Sequence, residues 1–372
     1  MIAIDAVPAT KQQKTGVEWY AYHLLKHMNE LQPELDVVLY SHRPLDFELK
    51  GNWTNKVLKW PFPGWSKIRW SFELLRDRPD VIFVPGDELP VVTFGKIVTT
   101  IHDLGFWHHP EYYSQNQIKR LERAHTRAVE KADRIITISD VTKNDLMSEF
   151  GADPNMCTTI HFGYDKKMFK PRDPGDPEIA RVLLEFKLEK PYLFYVGRIE
   201  RKKGIDTLVK AFIEWKRRLT LSVAKGSGLA EVELVLGGGA GEVGYDEIVE
   251  LIGDRNDIHL IGHVAYQDLG MLRSGSMAEV FPTRFEGFGM PTLEAMASGV
   301  PFLCSDLEVL KEVGGNAPMY VRLDDVEAWV RALDEVMKPD VRDEMVKRGL
   351  QIVTKYDWDV TAQKTLDVLC NI

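Results

Sequence analysis

Glu286 and Glu294 stand eight residues apart in the run Glu286-Gly287-Phe288-Gly289-Met290-Pro291-Thr292-Leu293-Glu294, the stretch of this chain richest in chemistry. It follows the apolar segment Ala278 to Phe281, so it reads as a strand-end loop feeding the first turn of a helix. Pro291 suits a first helical position, and Gly299 followed by Pro301 ends the helix. Gly287 and Gly289 let backbone N–H groups come close to a ligand, with Phe288 between them. A carboxylate on the loop and another on the helix then flank a helix N-terminus, which suits a ligand bearing both hydroxyls and an anionic group. A phosphorylated sugar is such a ligand. Two carboxylates can also serve as acid and base across a glycosidic bond when they lie about 5 to 9.5 Å apart.

A second cluster tips the balance toward phosphate. The apolar strand Tyr192 to Val196 runs into Gly197-Arg198-Ile199-Glu200-Arg201-Lys202-Lys203-Gly204, so basic residues gather at a strand end. Arg198 offers a planar fork and Lys203 a compact charge, both suited to a diphosphate. The alternative is a solvated basic turn. His102, in Ile101-His102-Asp103-Leu104-Gly105 after another strand, can exchange a hydrogen bond with a sugar hydroxyl or serve as a satisfied structural histidine. Gly16, in Thr15-Gly16-Val17-Glu18, opens a helix, where it allows a phosphate to approach or makes a tight turn.

Two motifs point elsewhere and are weaker. Gly239-Ala240-Gly241-Glu242-Val243-Gly244 matches the dinucleotide fingerprint, but the next strand ends in Gly262-His263-Val264, without the acidic residue that would hold a ribose diol. A tight turn is the expectation there. Asp357-x-Asp359 mimics a metal-binding pair, yet acidic residues at a helix start are expected to cap it. His102, His108 and His109 have no carboxylate or cysteine at ligand spacing, so no metal is assigned.

The elements that must position these groups alternate. Short apolar strands open at Val37, Val81, Ile97 and Ile135, and a second set at Tyr192, Glu233, Ile258 and Ala278, with amphipathic helical stretches between. This is an α/β pattern with parallel sheets. The Lys-, Pro-, Asp- and Gly-rich stretch Lys166 to Pro177 reads as a connector. The simplest architecture is two doubly wound domains facing a central cleft, residues 1–168 and 169–356, with a capped terminal helix at 357–372. Trp65, Ile68, Phe72 and Leu75 fall on one helical face near Lys67, Arg69 and Arg76. Packing on the first sheet is expected for that face, and a weak association with a membrane surface would use the same residues.

At 372 residues the chain is long enough for two domains. Its 44% hydrophobic and 28% charged content is that of a folded globular protein. A net charge of -9 argues against a non-specific nucleic-acid binder, and no nucleic-acid partner is expected. Cys157, Cys304 and Cys370 lack any pairing pattern, which points to a reducing compartment. Met1-Ile2-Ala3-Ile4-Asp5 reads as a strand and not as an export signal, and no apolar run nears the roughly 20 residues that span a bilayer. A cytoplasmic protein is expected, with any membrane contact peripheral and on the inner face.

Taken in order, Thr15-Gly16-Val17, Ile101-His102-Asp103-Leu104, Ile136-Thr137-Ile138-Ser139, His161-Phe162-Gly163-Tyr164-Asp165, Gly197-Arg198 with Lys203-Gly204, and the Glu286 to Pro301 block make the chain resemble glycosyltransferase family 4 over nearly its whole length. The last block is the most specific. The resemblance implies a GT-B fold, with the acceptor bound in the N-terminal domain, the donor in the C-terminal one, and the terminal helix packing back on the first. It implies a retaining, metal-independent transfer of a hexose from a nucleotide-diphosphate sugar to a sugar or lipid-linked acceptor, without a cofactor. Arg198 and Lys203 would stabilise the diphosphate, Glu286 and the N–H groups after it would hold sugar hydroxyls, Glu294 would bind the ribose, Gly16 would lie by the phosphates and His102 by the transferred sugar. The Thr-Gly-Val form resembles the mannosyltransferase-like branch, so GDP-mannose is the first expected donor and a UDP-sugar the second. Phe162 and Thr283 depart from the family's usual Asn and Ser. A non-catalytic two-lobed sugar-binding protein and an NAD-linked oxidoreductase are the competing classes.

Overall fold

A computed structural model describes residues 1–62, 64–92, 94–221 and 229–372, with the Lys67 side chain outside the described residues. The chain forms two compact units, Met1–Gly163 with Tyr356–Ile372, and Tyr164–Lys355. In the first, β1 (Ile2–Asp5), β2 (Val37–Ser41), β3 (Trp53–Val57), β4 (Val81–Val84), β5 (Lys96–Ile101), β6 (Arg134–Thr137) and β7 (Cys157–Thr159) make one sheet in the order β3-β2-β1-β4-β5-β6-β7. In the second, β8 (Tyr192–Val196), β9 (Glu233–Gly237), β10 (Ile258–Gly262), β11 (Ala278–Phe281), β12 (Phe302–Ser305) and β13 (Met319–Val321) follow the order β10-β9-β8-β11-β12-β13. All pairings are parallel. The expected pair of doubly wound parallel-sheet units is therefore the observed fold.

Parallel sheets bury both faces, so their central strands read as continuous apolar runs. Every residue of β1, β4, β11 and β12 is buried. In each unit the strand order reverses once, between β1 and β4 and between β8 and β11. At such a point the two neighbouring crossovers leave in opposite directions and open a crevice at the carboxyl ends of the strands.

The segment Tyr356–Ile372 belongs to the first unit. Its helix, Trp358–Cys370, is capped by the Asp357 side chain, which accepts from the Asp359 N–H at 2.8 Å. Trp358 stacks on His23 (5.3 Å between ring centroids) and on Phe162 (5.7 Å), and Phe162 stacks on Tyr20 (4.7 Å). Asp359 Oδ1 meets His27 Nδ1 at 2.6 Å. Phe162, a departure from the family pattern, is thus a core residue of this aromatic stack.

The helix around Trp65 corrects the sequence reading. Trp65–Arg69 is a π-helical turn leading into the α-helix Trp70–Asp77. The wider turn shifts the angular register, so Trp65 packs inward with Trp70 and Leu74, while Ile68, Phe72 and Leu75 stay on the outer surface. Among the described residues, no helix is long and apolar enough to cross a membrane.

Gly204 sets the distance between the two loops at the second reversal point. It closes the turn Arg201–Lys203 with φ 68°, and a Cβ there would lie 1.9 Å from the Pro282 carbonyl oxygen. Gly204→Ala is expected to destabilise the second unit by roughly 2 kcal/mol or more, combining left-handed backbone strain with that clash. Urea unfolding checks this, and an unchanged midpoint would contradict it.

Candidate active site

In the second unit the carboxyl ends of β8 and β11, which are hydrogen-bonded neighbours, carry the residues singled out by sequence. Arg198 leaves β8 through Gly197 and is half exposed, with Glu200 Oε1 3.2 Å from its guanidinium. Tyr195, within β8, donates its hydroxyl to the Arg198 carbonyl at 2.9 Å and so fixes the backbone of that turn. Lys203 Nζ lies 2.5 Å from Glu286 Oε1, the same oxygen that accepts from Thr283 Oγ1 at 3.2 Å. A cation suited to phosphate and a carboxylate suited to hydroxyls therefore sit side by side. Gly287 and Phe288 are buried, and Gly289 starts the helix Met290–Ala297 from a left-handed conformation.

The glycine run that mimics a dinucleotide fingerprint has a structural task. The Ile199 N–H donates to the Gly239 carbonyl at 2.9 Å, Gly241 N–H donates to the Ile199 carbonyl at 3.0 Å, and Arg201 N–H to the Val243 carbonyl at 2.9 Å. A Cβ on Gly241 would lie 2.3 Å from Glu200 Cβ. The run is a short ladder that braces the Arg198 loop, which takes up the Gly239 carbonyl and the Gly241 N–H.

Two arginines that were not singled out by sequence organise the rest. Arg284 forms ion pairs with Asp206 (2.8 Å) and Asp324 (2.5 Å), and it also donates to the Arg201 carbonyl. It thereby ties the loop after β11 to the loop after β8. Arg273, from the helix Tyr266–Gly275, is 0% exposed and pairs with Glu279 of β11 at 2.7 Å and with Glu294 at 2.6 Å. Burial pushes the Glu279 carboxyl up to about 7 against the pull of Arg273, and it raises Glu294 as well. The physical reason is that one guanidinium serves two carboxylates, so a fully ionised cluster would hold an excess negative charge away from water. Neither arginine has a sequence signal beyond its type, because its partners lie on other elements and at no helical or strand spacing from it.

In the first unit, His102 follows β5 and is nearly buried, its Nε2 3.2 Å from the Pro85 carbonyl. A carbonyl can only accept, so Nε2 is the donor in this contact and Nδ1 is left for another partner. Gly16 begins the helix Gly16–Leu31, which Thr15 and Glu18 cap reciprocally. A Cβ on Gly16 would meet nothing within 4 Å, so the packing of the unit does not require a glycine there. His108 pairs with Asp145 (3.0 Å) and His109 with Glu111 (3.2 Å), away from any joint histidine cluster. Asp5, at the carboxyl end of β1 beside the first reversal point, was also missed by sequence. Burial pushes its carboxyl up to about 7, with its Oδ1 accepting from the Val7 N–H.

Residues 177–351 match the family model described as glycosyl transferases group 1, and residues 14–167 match the model described as glycosyltransferase family 4. The chain is 28% identical over 302 residues to O-antigen chain mannosyltransferase B of Escherichia coli, covering 79% of this chain and 75% of that protein. It is 24% identical to O-antigen chain mannosyltransferase RfbU of Salmonella typhimurium, covering 70% of this chain and 65% of that one. The solved structure of Anabaena Alr3699/HepE in complex with UDP and glucose superimposes with a TM-score of 0.73 at 14% identity, over 100% of this chain and 99% of that one. Two family models in sequence order, on a GT-B pair of parallel-sheet units, identify the chain as a glycosyltransferase of family 4, group 1.

Proposed function

We propose that the chain moves a hexose, with retention at the anomeric carbon, from a nucleotide-diphosphate sugar to a hydroxyl of a carbohydrate or lipid-linked acceptor. The observation that carries this reading is the contact of Lys203 with Glu286 at the reversal point of the second sheet, with Arg198 on the loop after β8 and Glu294 on the helix that follows the Glu286 loop. As the anomeric C–O bond breaks, charge grows on the departing diphosphate. Fixed cations at Arg198 and Lys203, with the helix N-terminus at Met290, act where that charge develops, so the step needs neither a metal nor a cofactor. In a same-face displacement the acceptor oxygen bonds to the anomeric carbon while its proton passes to an oxygen of the leaving phosphate. Glu286 and the backbone of Gly287, Phe288 and Gly289 take the sugar hydroxyls, and Glu294 takes the ribose. In the first unit, Gly16 and the Nδ1 of His102 are assigned to phosphate and sugar recognition.

GDP-mannose is the first donor, in keeping with the two relatives named as mannosyltransferases, and a UDP-sugar is the second, in keeping with the UDP complex of similar fold. A thermal-shift panel of GDP, UDP, ADP and NAD distinguishes them from the oxidoreductase reading. Stabilisation by GDP is expected, and stabilisation by no nucleoside diphosphate would overturn the transferase assignment. Arg198→Ala and Lys203→Ala are each expected to cost roughly 2 to 4 kcal/mol of transition-state stabilisation, seen as lower turnover. Wild-type rates in both would remove them from the site. With excess EDTA the turnover is expected to persist, and NMR of the fresh product should show the donor's own anomeric configuration.

The first unit also offers a face suited to an anionic membrane surface. Ile68 (47% exposed), Phe72 (63%) and Leu75 recur at i, i+4 and i+7 on one helix, and Ser71 holds the loop with exposed Val91 and Val92 beside them. Arg127 donates to the Val91 carbonyl at 3.1 Å and joins this loop to the helix Gln115–Lys131, which carries five lysines and arginines against two glutamates. In a chain of net charge -9, an apolar stripe edged by that basic helix complements acidic headgroups at the inner face of a membrane. Co-sedimentation with phosphatidylglycerol vesicles, weakened several-fold by Phe72→Asp and by high salt, is the expected outcome. Equal binding to neutral vesicles would count against it.

A further inference from the structure

The buried cluster around Arg273 has a property that ordinary packing does not require. A guanidinium with 0% exposure is placed between two carboxylates of different standing: Glu279 is also 0% exposed, whereas the Glu294 side chain keeps 10%. Toward Glu279 the contact is a fork, Nε to Oε2 at 2.7 Å and Nη2 to Oε1 at 3.4 Å. Toward Glu294 it is a single ion pair, Nη2 to Oε2 at 2.6 Å. The Phe169 ring covers the guanidinium, 5.0 Å from centroid to Cζ. The Asp165 carboxylate and the Tyr266 hydroxyl also act on Glu294 through space. Oε2 of Glu294 is committed to Arg273, and the side chain keeps a tenth of its surface in solvent.

Such an arrangement is costly if its only purpose is to hold the fold. A buried ion pair contributes little net stability compared with apolar residues of the same volume. Its distinctive product is orientation: Glu279 forks Arg273, Arg273 pins Glu294, and the helix Met290–Ala297 cannot turn that carboxylate without breaking a desolvated pair.

We propose that Arg273 is a positioning residue for donor recognition, fixing the Glu294 carboxylate so that it accepts from the ribose hydroxyls of the nucleoside diphosphate, with Glu279 holding Arg273 in turn. This rests on the assignment of Glu294 to the ribose made above. Arg273 itself touches no substrate. Its effect is on how strongly the protein distinguishes a ribose from a sugar lacking those hydroxyls.

The test compares the affinity of the full chain for GDP and 2′,3′-dideoxy-GDP, and for UDP and 2′,3′-dideoxy-UDP, by calorimetry. The wild-type chain is expected to prefer one ribonucleotide over its dideoxy form by roughly tenfold or more, the scale of hydrogen bonds to a charged acceptor. Arg273→Lys keeps a cation but loses the fork, and it should shrink that preference to within about twofold by weakening the ribonucleotide alone. Because a buried single change can fail to fold, the double variant Arg273→Met with Glu279→Met removes the fully buried pair, keeps the volume and leaves only the partly exposed Glu294 charged, and it should stay folded while losing the preference. A folded double variant with the full wild-type preference would overturn the role of Arg273 and leave the Glu294 assignment standing. A wild-type chain that binds ribo and dideoxy forms equally would overturn both.

Discussion

Everything at the second site depends on the single reversal of strand order between β8 and β11. In a parallel sheet all carboxyl ends point the same way, and the crossovers on either side of the reversal leave room above two adjacent strands. Into that room the chain delivers one basic loop and one acidic, glycine-containing loop from positions more than eighty residues apart. Their opposite charges would be of little use on separate edges. As neighbours they present a cation and a hydrogen-bond acceptor 2.5 Å apart, Lys203 and Glu286. Arg284 makes the adjacency rigid: from the loop after β11 it donates to the Arg201 carbonyl of the β8 loop and pairs with Asp206 in the helix that follows, while Asp324, after β13, holds it from a third side.

Local chemistry was legible in the sequence wherever a residue's task is shared with its immediate neighbours. The runs around Arg198, Lys203 and Glu286 could be placed at strand ends because an apolar strand precedes each, and Asp357 could be read as a cap because its partner is two residues away. The strands β3, β7, β12 and β13 were harder. β3 alternates with exposed polar residues, β7 and β13 are three residues long, and β12 follows Pro301 directly, where the proline reads as a stop. The division of the compact units after Gly163 has the same character, because Asp165 lies by Tyr266 and Met168 by Gly270, each about a hundred residues away.

Where the reading failed outright, backbone geometry or long-range charge was responsible. The π-helical turn at Trp65–Arg69 breaks the 3.6-residue period on which a helical face is judged, so Trp65 was grouped with residues from which it points away. Arg273 and Glu279 are six residues apart on different elements and could not be paired by spacing. Asp5 sits at the end of an apolar strand with no motif to mark it, and its perturbed carboxyl is chiefly a product of burial, with the distant Glu88 charge adding to it.

The return of Tyr356–Ile372 to the first unit has an effect on how the molecule comes into being. On a ribosome, residues 164–355 are complete and free to fold before the last helix has been made. The aromatic stack of the first unit must wait for Trp358 to join Tyr20, His23 and Phe162. The half that begins first is therefore the half that finishes last, closing across more than three hundred residues of intervening chain.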